Sequence, residues 1–246
     1  MKALLLNSGI GKRMGDLTRD MPKCLVEVYD QETILYRQVK ALIENGIEEI
    51  IITTGPFEEK IKKYLDEAFP GLRFHYVLNP LYESTNYIYS MLLAKDFMDD
   101  DIILMHGDLV FEEILLEKTI QSSYANTVLV NPQASLPEKD FKARVENGRV
   151  KEISIHIFDD NCFFLIPLYK LSRELCEKWL AEIEEFKKQG KLSVYAEDAL
   201  NNILKEQSLY PIYFNRELCS EIDDVGDLET VRNLMASQAG GSRLCP

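Results

Sequence analysis

Apolar runs and amphipathic stretches alternate through the first half of the chain. Residues 3–6 are an unbroken apolar run, the pattern of a strand covered on both faces. Residues 33–45 carry Ile34, Leu35, Val39, Leu42 and Ile43 at helical spacing, with Gly46 as the stop. A β-branched run at 50–54 predicts a second strand, 57–69 an amphipathic helix and 73–78 a third strand. Residues 84–97 read as a helix with Ile88, Met91 and Leu92 inward, and 101–105 as a fourth strand. The order β-α-β-α-β-α-β predicts a parallel sheet in an α/β layered domain. Ligands of such sheets bind beyond the carboxyl ends of the strands. Here those ends carry Asn7-Ser8-Gly9, Thr54-Gly55, Asn79-Pro80 and Gly107-Asp108, which places the polar candidates along one edge.

The second half has a different texture. Strands are expected at 128–131, 142–145, 149–155, 163–168 and 210–214, with Asn147-Gly148 as a hairpin turn. Helices are expected at 172–188, 195–205 and 226–235. No repeat or linker divides the chain, so residues 1–236 are expected to form one domain. Residues 237–246, small and polar without pattern, are expected to be disordered.

At 246 residues and 46% hydrophobic content the chain can bury a sizeable core. A formal charge of −13 argues against non-specific binding to nucleic acid or anionic membranes. Five scattered cysteines (Cys24, Cys162, Cys176, Cys219 and Cys245) give neither a zinc pattern nor a disulfide framework. They suit reduced thiols in the cytoplasm. The apolar part of MKALLLNSG is too short for a signal peptide, and no run approaches a membrane span. His75, His106 and His156 are scattered and imply neither a triad nor a zinc site.

Against that acidic background the opening loop is cationic. Asn7-Ser8-Gly9-Ile10-Gly11-Lys12-Arg13 follows the first strand, and Lys23 comes ten residues later, presented by Pro22. Glycines let backbone N–H groups approach phosphate oxygens; arginine offers a planar fork and lysine a point charge. The loop therefore reads as a polyphosphate site. Its spacing fails both the dinucleotide fingerprint and the P-loop, since Arg13 stands where the latter needs a hydroxyl. Asp108 alone reads equally as a Mg²⁺ ligand or as a cap of a helix near Phe111. Asp223, in Glu221-Ile222-Asp223-Asp224-Val225, reads as a ligand or as part of a turn before the last helix.

The segments Asn7–Met14, Leu17-Thr18 and Pro22-Lys23-Cys24-Leu25 resemble the signature of the nucleotidyltransferases that make sugar nucleotides and CDP-alcohols. The resemblance implies a Rossmann-like layered α/β domain of the GT-A type with a mixed, mostly parallel central sheet. It implies that Leu6, Asn7, Ser8, Gly9, Gly11, Lys12, Gly55, Asn79, Thr85, Asn86 and Gly107 bind the nucleotide. Arg13 and Lys23 are the implied catalytic cations, Arg13 on the β- and γ-phosphates and Lys23 at the α-phosphate. Asp108 and Asp223 are the implied Mg²⁺ ligands, with Asp224 the neighbour most easily confused with Asp223. His106 stands where the sugar-nucleotide version has the first acid of its D-x-D.

Three stretches are similar to the phosphocholine, aminoethylphosphonate and phosphoglutamine cytidylyltransferase branch. The first is Asn79 to Met91, with Tyr87 in place of a second Asn. The second begins at Lys142, whose counterpart faces the acceptor phosphate; the branch's second lysine is replaced by Ile155-His156. The third, Tyr195-Ala196-Glu197-Asp198-Ala199-Leu200, resembles a stretch whose acids face the acceptor's cationic head group; a helix's first turn, which favours acids, is the equal alternative. The expected reaction moves CMP from CTP onto a small phosphorylated acceptor with release of pyrophosphate, for bacterial capsule or surface polysaccharide. Phosphocholine, phosphoethanolamine, aminoethylphosphonate and glutamine phosphate all suit the branch. Tyr82, Tyr87, Tyr89, Phe163, Phe164, Trp179 and Tyr195 fit core positions, with a cation–π face as the other reading. The alternatives are a hexose-1-phosphate nucleotidylyltransferase using UTP or dTTP, or a non-catalytic nucleotide-binding protein of the same fold. The oligomeric state stays open, a homodimer included.

Overall fold

The computed structural model, which describes residues 1–241, accounts for the unbroken apolar runs by burial on both faces of one sheet. β1 (Lys2–Leu6) leads into two short 3-10 segments, Lys12–Thr18 and Lys23–Leu25. A small hairpin of β2 (Glu27–Tyr29) and β3 (Glu32–Thr33) follows, then α1 (Ile34–Glu44) and β4 (Glu49–Thr54). Next come α2 (Glu58–Ala68), β5 (Arg73–Leu78), α3 (Tyr87–Leu93) and β6 (Ile102–His106). β7 (Leu109–Phe111) and α4 (Glu113–Gln121) precede β8 (Thr127–Asn131). The second half contains β9 (Lys142–Glu146), β10 (Arg149–Ser154), β11 (Cys162–Leu171), α5 (Arg173–Lys188) and α6 (Ala196–Ile203). It closes with β12 (Tyr210–Tyr213), β13 (Cys219–Glu221) and α7 (Val225–Gly241).

Nine strands form the main sheet, with β10-β9-β11-β6-β1-β4-β5 in order, β8 also on β11, and β12 on β8. β1 pairs parallel with β4 and β6, and β5 parallel with β4. β11 runs antiparallel to β6, β8 and β9, so β8 and β9 point the same way as β1; only β10 and β11 are reversed. Strand residues alternate between the two faces. Leu4, Ile51 and Leu104 pack against Ile88 and Met91 of α3, Leu175 and Trp179 of α5, and Leu200 of α6. Ala3, Leu5, Ile50, Ile52 and Met105 pack the other way, on Leu35 and Val39 of α1, Ile61 of α2 and Leu115 of α4. With helices on both faces no position of β1, β4 or β6 is exposed, which is why these central strands show no polar alternation. No helix among the described residues is long and apolar enough to cross a membrane.

Two departures from the sequence reading shape the site. The expected helix over 84–97 starts only at Tyr87, because Asn86 Oδ1 caps it and Ser84 and Thr85 hydrogen-bond back to Leu81 O in a turn. The turn leaves Thr85 and Asn86 beside the strand ends. β7 and β13 are too short to show a pattern, yet they pair antiparallel, Glu221 opposite Leu109 and Cys219 opposite Phe111. The last helix does not stop near Met235 but continues to Gly241, taking in the first residues of the stretch expected to be disordered. Residues 242–246 lie outside the described residues.

Gly55, expected at the nucleotide, instead packs on the loop after β1. A Cβ there would sit 2.4 Å from Ser8 O, a backbone atom that cannot swing away. Gly55→Ala is expected to destabilise the protein by about 1–3 kcal/mol in a denaturant titration. An unchanged midpoint would show that the two loops are not held together as described.

Candidate active site

Beyond the carboxyl ends of β1, β5 and β6 lies a cleft of about 690 Å³. Its floor is fixed by backbone contacts. Asn7 N–H donates to Thr53 O and Oγ1, each at 3.1 Å, and Gly107 N–H donates to Leu6 O at 3.1 Å. A Cβ on Gly107 would lie 1.9 Å from Asn7 Oδ1, so only glycine admits the Asn7 side chain. Asn79, at the end of β5, spends its Nδ2 on Thr85 Oγ1 (3.1 Å) and Ser90 Oγ (3.0 Å), and Ser90 Oγ donates to Ser8 Oγ at 2.9 Å. This chain of side chains ties the opening loop to the turn before α3.

The charged groups converge on Lys23. Its Nζ is 2.5 Å from Asp108 Oδ2 and 3.3 Å from Asp223 Oδ1, and Arg13 Nη2 is 2.7 Å from the same Asp223 oxygen. The Lys23 side chain is 15% exposed and that of Arg13 62%, so one cation is fixed and the other reaches into solvent. Burial would lower the pKa of Lys23, but the charges and hydrogen bonds of Asp108 and Asp223 raise it. Burial would raise that of Asp108; the Lys23 and His106 charges hold it below the usual carboxylate range. His106 Nδ1 meets Glu221 Oε1 at 2.9 Å, and its ring lies 4.7 Å from that of Tyr87. Burial works against a charge on His106, yet the Glu221 carboxylate, with Glu197 and Asp108 behind it, raises its pKa to about 9. Glu221 is itself raised, because its burial outweighs the imidazole beside it.

Asn7 Nδ2, His106 Nε2 and Asp108 Oδ1 are buried without a hydrogen-bond partner, and all three residues line the cleft. Buried polar atoms are almost always satisfied, so three orphans in one cleft mark a place where a polar ligand completes the bonding. His106, Asp108 and Glu221 also offer ligand atoms within 4.8 Å of one another.

Of the residues singled out in the sequence, Leu6, Asn7, Ser8, Gly9, Gly11, Lys12, Arg13, Lys23, Asn79, Thr85, Asn86, Gly107, Asp108 and Asp223 line this cleft. Asp224 does not: its Oδ1 accepts from Gly226 and Asp227 N–H and caps α7, which leaves Asp223 as the carboxylate facing inward. Four expected residues are placed elsewhere. Gly55 is behind the loop. Lys142 is wholly buried, its Nζ donating to Pro137 O (2.7 Å) and Ile155 O (2.5 Å). Glu197 is buried under the cleft and accepts from the Tyr87 and Tyr169 hydroxyls. Asp198 Oδ2 accepts from Tyr195 N–H at 3.1 Å, the first-turn capping role. Trp179 is core, whereas Tyr82, Tyr87 and Tyr195 face the cleft. The sequence reading missed the His106–Glu221 pair and Glu138-Lys139-Asp140, which also line it. The charged triplet was the available signal; the pair had none, since it depends on β7 meeting β13.

Residues 2–152 match the nucleotidyl transferase family. The chain is 32% identical over 128 residues to a CMP-5'-(3-aminopropyl)phosphonate synthase of Streptomyces rubellomurinus, covering 52% of this chain and 20% of that protein. It thus spans only a fifth of that relative's length. To the CTP:phosphoglutamine cytidylyltransferase of Campylobacter jejuni it is 28% identical over 201 residues, 75% of this chain and 78% of the other. Among solved structures, the CTP:phosphocholine cytidylyltransferase of Streptococcus pneumoniae superposes with a TM-score of 0.74 at 23% identity, covering 95% and 98% of the two chains. At that identity the likeness shows a shared fold.

The His106–Glu221 contact sets a pH dependence. A histidine raised from 6.5 to about 9 adds stability that is complete below pH 6.5 and lost as pH rises through about 9. Over that window the thermal midpoint is expected to fall more steeply for the wild type than for His106→Gln. Parallel curves would contradict the pairing.

Proposed function

The chain belongs to the nucleotidyl transferase family, and from that premise we propose that it is a cytidylyltransferase, moving CMP from CTP onto a small phosphorylated acceptor with release of pyrophosphate. The observation that carries the reading is the meeting of Asp108 and Asp223 on Lys23, beside Arg13 and the glycine loop. The names of the two similar proteins, both of which make or use cytidine nucleotides, support CTP as the donor. Phosphocholine, phosphoethanolamine, an aminoalkylphosphonate and glutamine phosphate are the candidate acceptors, and capsule or surface polysaccharide the use. Buried thiols such as Cys24, pushed up to about 12 by burial, fit a reducing cytoplasm.

A phosphate dianion is already nucleophilic near neutral pH, so its attack on the α-phosphorus of CTP needs no general base and no covalent intermediate. Positioning and charge stabilisation then do the catalysis. Lys12 and Arg13 reach the β- and γ-phosphates, with the glycine-loop amides of residues 9–11 beside them. Lys23 serves the α-phosphate, where charge builds in the transition state. Its three ammonium donors and two carboxylate contacts hold it in place without fixing which oxygen it meets.

Mg²⁺ fits the same place. Its preference is for carboxylate and phosphate oxygens; Asp108 Oδ1 is buried with no partner, and Asp108 and Asp223 already converge on one cation. Those two residues would hold the ion, which when bound offsets the repulsion between the two anionic substrates.

Pyrophosphate release with Mg²⁺, scanned over CTP, UTP, ATP and dTTP against phosphorylated acceptors, tests the assignment. Release with CTP and one of the amino-alcohol, phosphonate or glutamine phosphates is expected. Release only with UTP or dTTP and a hexose phosphate would replace it with the sugar-nucleotide reading. Lys23→Ala is expected to lower kcat by about 10²–10³, the cost of one transition-state charge contact, with a much smaller change in CTP affinity. Unchanged turnover would remove Lys23 from its role.

A further inference from the structure

Four lysine and arginine side chains line the cleft, Lys12, Arg13, Lys23 and Lys139, beside His106, which is paired with Glu221. Arg13 and Lys23 are engaged with Asp108 and Asp223. Lys12 and Lys139 make no hydrogen bond or ion pair among the described residues. They come from different parts of the chain. Lys12 belongs to the opening loop, whereas Lys139 lies on the segment joining β8 to β9, which reaches the cleft with Glu138, Asp140 and Phe141.

That segment is tethered at both ends. The buried Lys142 ammonium holds Pro137 O on one side and Ile155 O, just past β10, on the other. Phe141 O accepts from Leu165 N–H of β11 at 2.9 Å. The backbone at 138–140 is therefore short and fixed between Pro137 and Phe141, while the Lys139 side chain is exposed to the cleft. Lys142 cannot serve a substrate anion without dropping the two carbonyls it holds. Its ammonium is a strut that presents Lys139.

Charge balance says what Lys139 meets. The proposed reaction brings a second phosphoryl group beside a triphosphate, in a cleft that also holds Asp108, Asp140, Glu221 and Asp223. Lys12, Arg13 and Lys23 all stem from the loop and turn that hold the triphosphate. An acceptor anion needs a cation of its own, from another segment.

We propose that Lys139 binds the phosphoryl or phosphonyl oxygens of the acceptor and sets the affinity for it, with Lys142 as the strut that positions it. The proposal rests on the cytidylyltransferase reading. Glu138 and Asp140, on either side, disfavour acceptors carrying a second phosphate.

The test is steady-state kinetics of the full chain with CTP and Mg²⁺, using phosphocholine, phosphoethanolamine, 2-aminoethylphosphonate and glutamine phosphate as acceptors. Lys139→Ala is expected to raise the acceptor's KM about tenfold or more, the loss of one hydrogen bond to a charged group, while the KM for CTP stays within about twofold. Lys139→Arg should restore most of the loss, and the thermal midpoint of both should match the wild type. An unchanged acceptor KM, or an equal rise for CTP, would overturn the proposal. If the wild type turns over none of the four acceptors, the cytidylyltransferase reading fails separately. Lys139 is then judged by calorimetric binding of phosphoethanolamine to the CTP-loaded protein. Binding lost in Lys139→Ala supports the subsite; no binding by the wild type, or equal binding by both, overturns it.

Discussion

A buried ammonium between two carboxylates organises this protein. Lys23 is largely removed from water, and a charge in that position survives only if opposite charges surround it. Asp108 and Asp223 supply them from segments far apart in the chain, one after β6 and one before α7. The approach is enforced by backbone as well as by charge. β7 pairs with β13, and Ile222 N–H donates to Asp108 O at 2.9 Å, so the C-terminal acid is carried to the fourth parallel strand. Arg13 then closes on Asp223 from the opening loop. Removing one charge from such a cluster leaves the others buried without balance, which couples the geometry of the site to the stability of the fold.

The parallel half of the sheet was legible because its strands are buried on both faces and its helices carry clear stripes. The opening loop was legible because its chemistry is contiguous: glycines, Lys12, Arg13 and Lys23 lie within a few turns of backbone. Convergence of Asp108 and Asp223 was expected from resemblance alone; the pairing that produces it uses strands of three residues, too short for any periodicity. Lys142, Glu197 and Asp198 show the opposite failure. Each stands at the start of an element, where one residue's turn decides between cleft and interior. Glu197 goes inward because the hydroxyls of Tyr87 and Tyr169, from two distant elements, are waiting for it. Asp198 goes to the helix end, where its Oδ2 accepts from the Tyr195 N–H. No linear pattern encodes those partners.

Around the cleft, buried hydrogen bonding distinguishes the supporting walls from the groups open to a ligand. Lys142, Glu197 and Ser90 are buried and hydrogen-bonded, and they fix walls. Asn7 Nδ2, His106 Nε2 and Asp108 Oδ1 are buried and unengaged, and they face the cleft. Folding has left these groups without partners at the place where the proposed reading puts a polyphosphate and a divalent ion. His106 in place of an acid changes the local balance further, since it meets Glu221 as a neighbour of opposite sign. The fold is shared with enzymes of several specificities, so the choice of nucleotide and acceptor rests on such side chains rather than on the sheet.

Asp108, Asp223 and Lys23 are proposed to form a metal-dependent nucleotide site. Thermal unfolding in CTP with Mg²⁺, compared with CTP and EDTA, tests it most directly. A rise in midpoint with CTP and Mg²⁺ that EDTA abolishes and that Asp223→Asn greatly reduces is expected. An equal rise with and without the metal, or none with either, would contradict it.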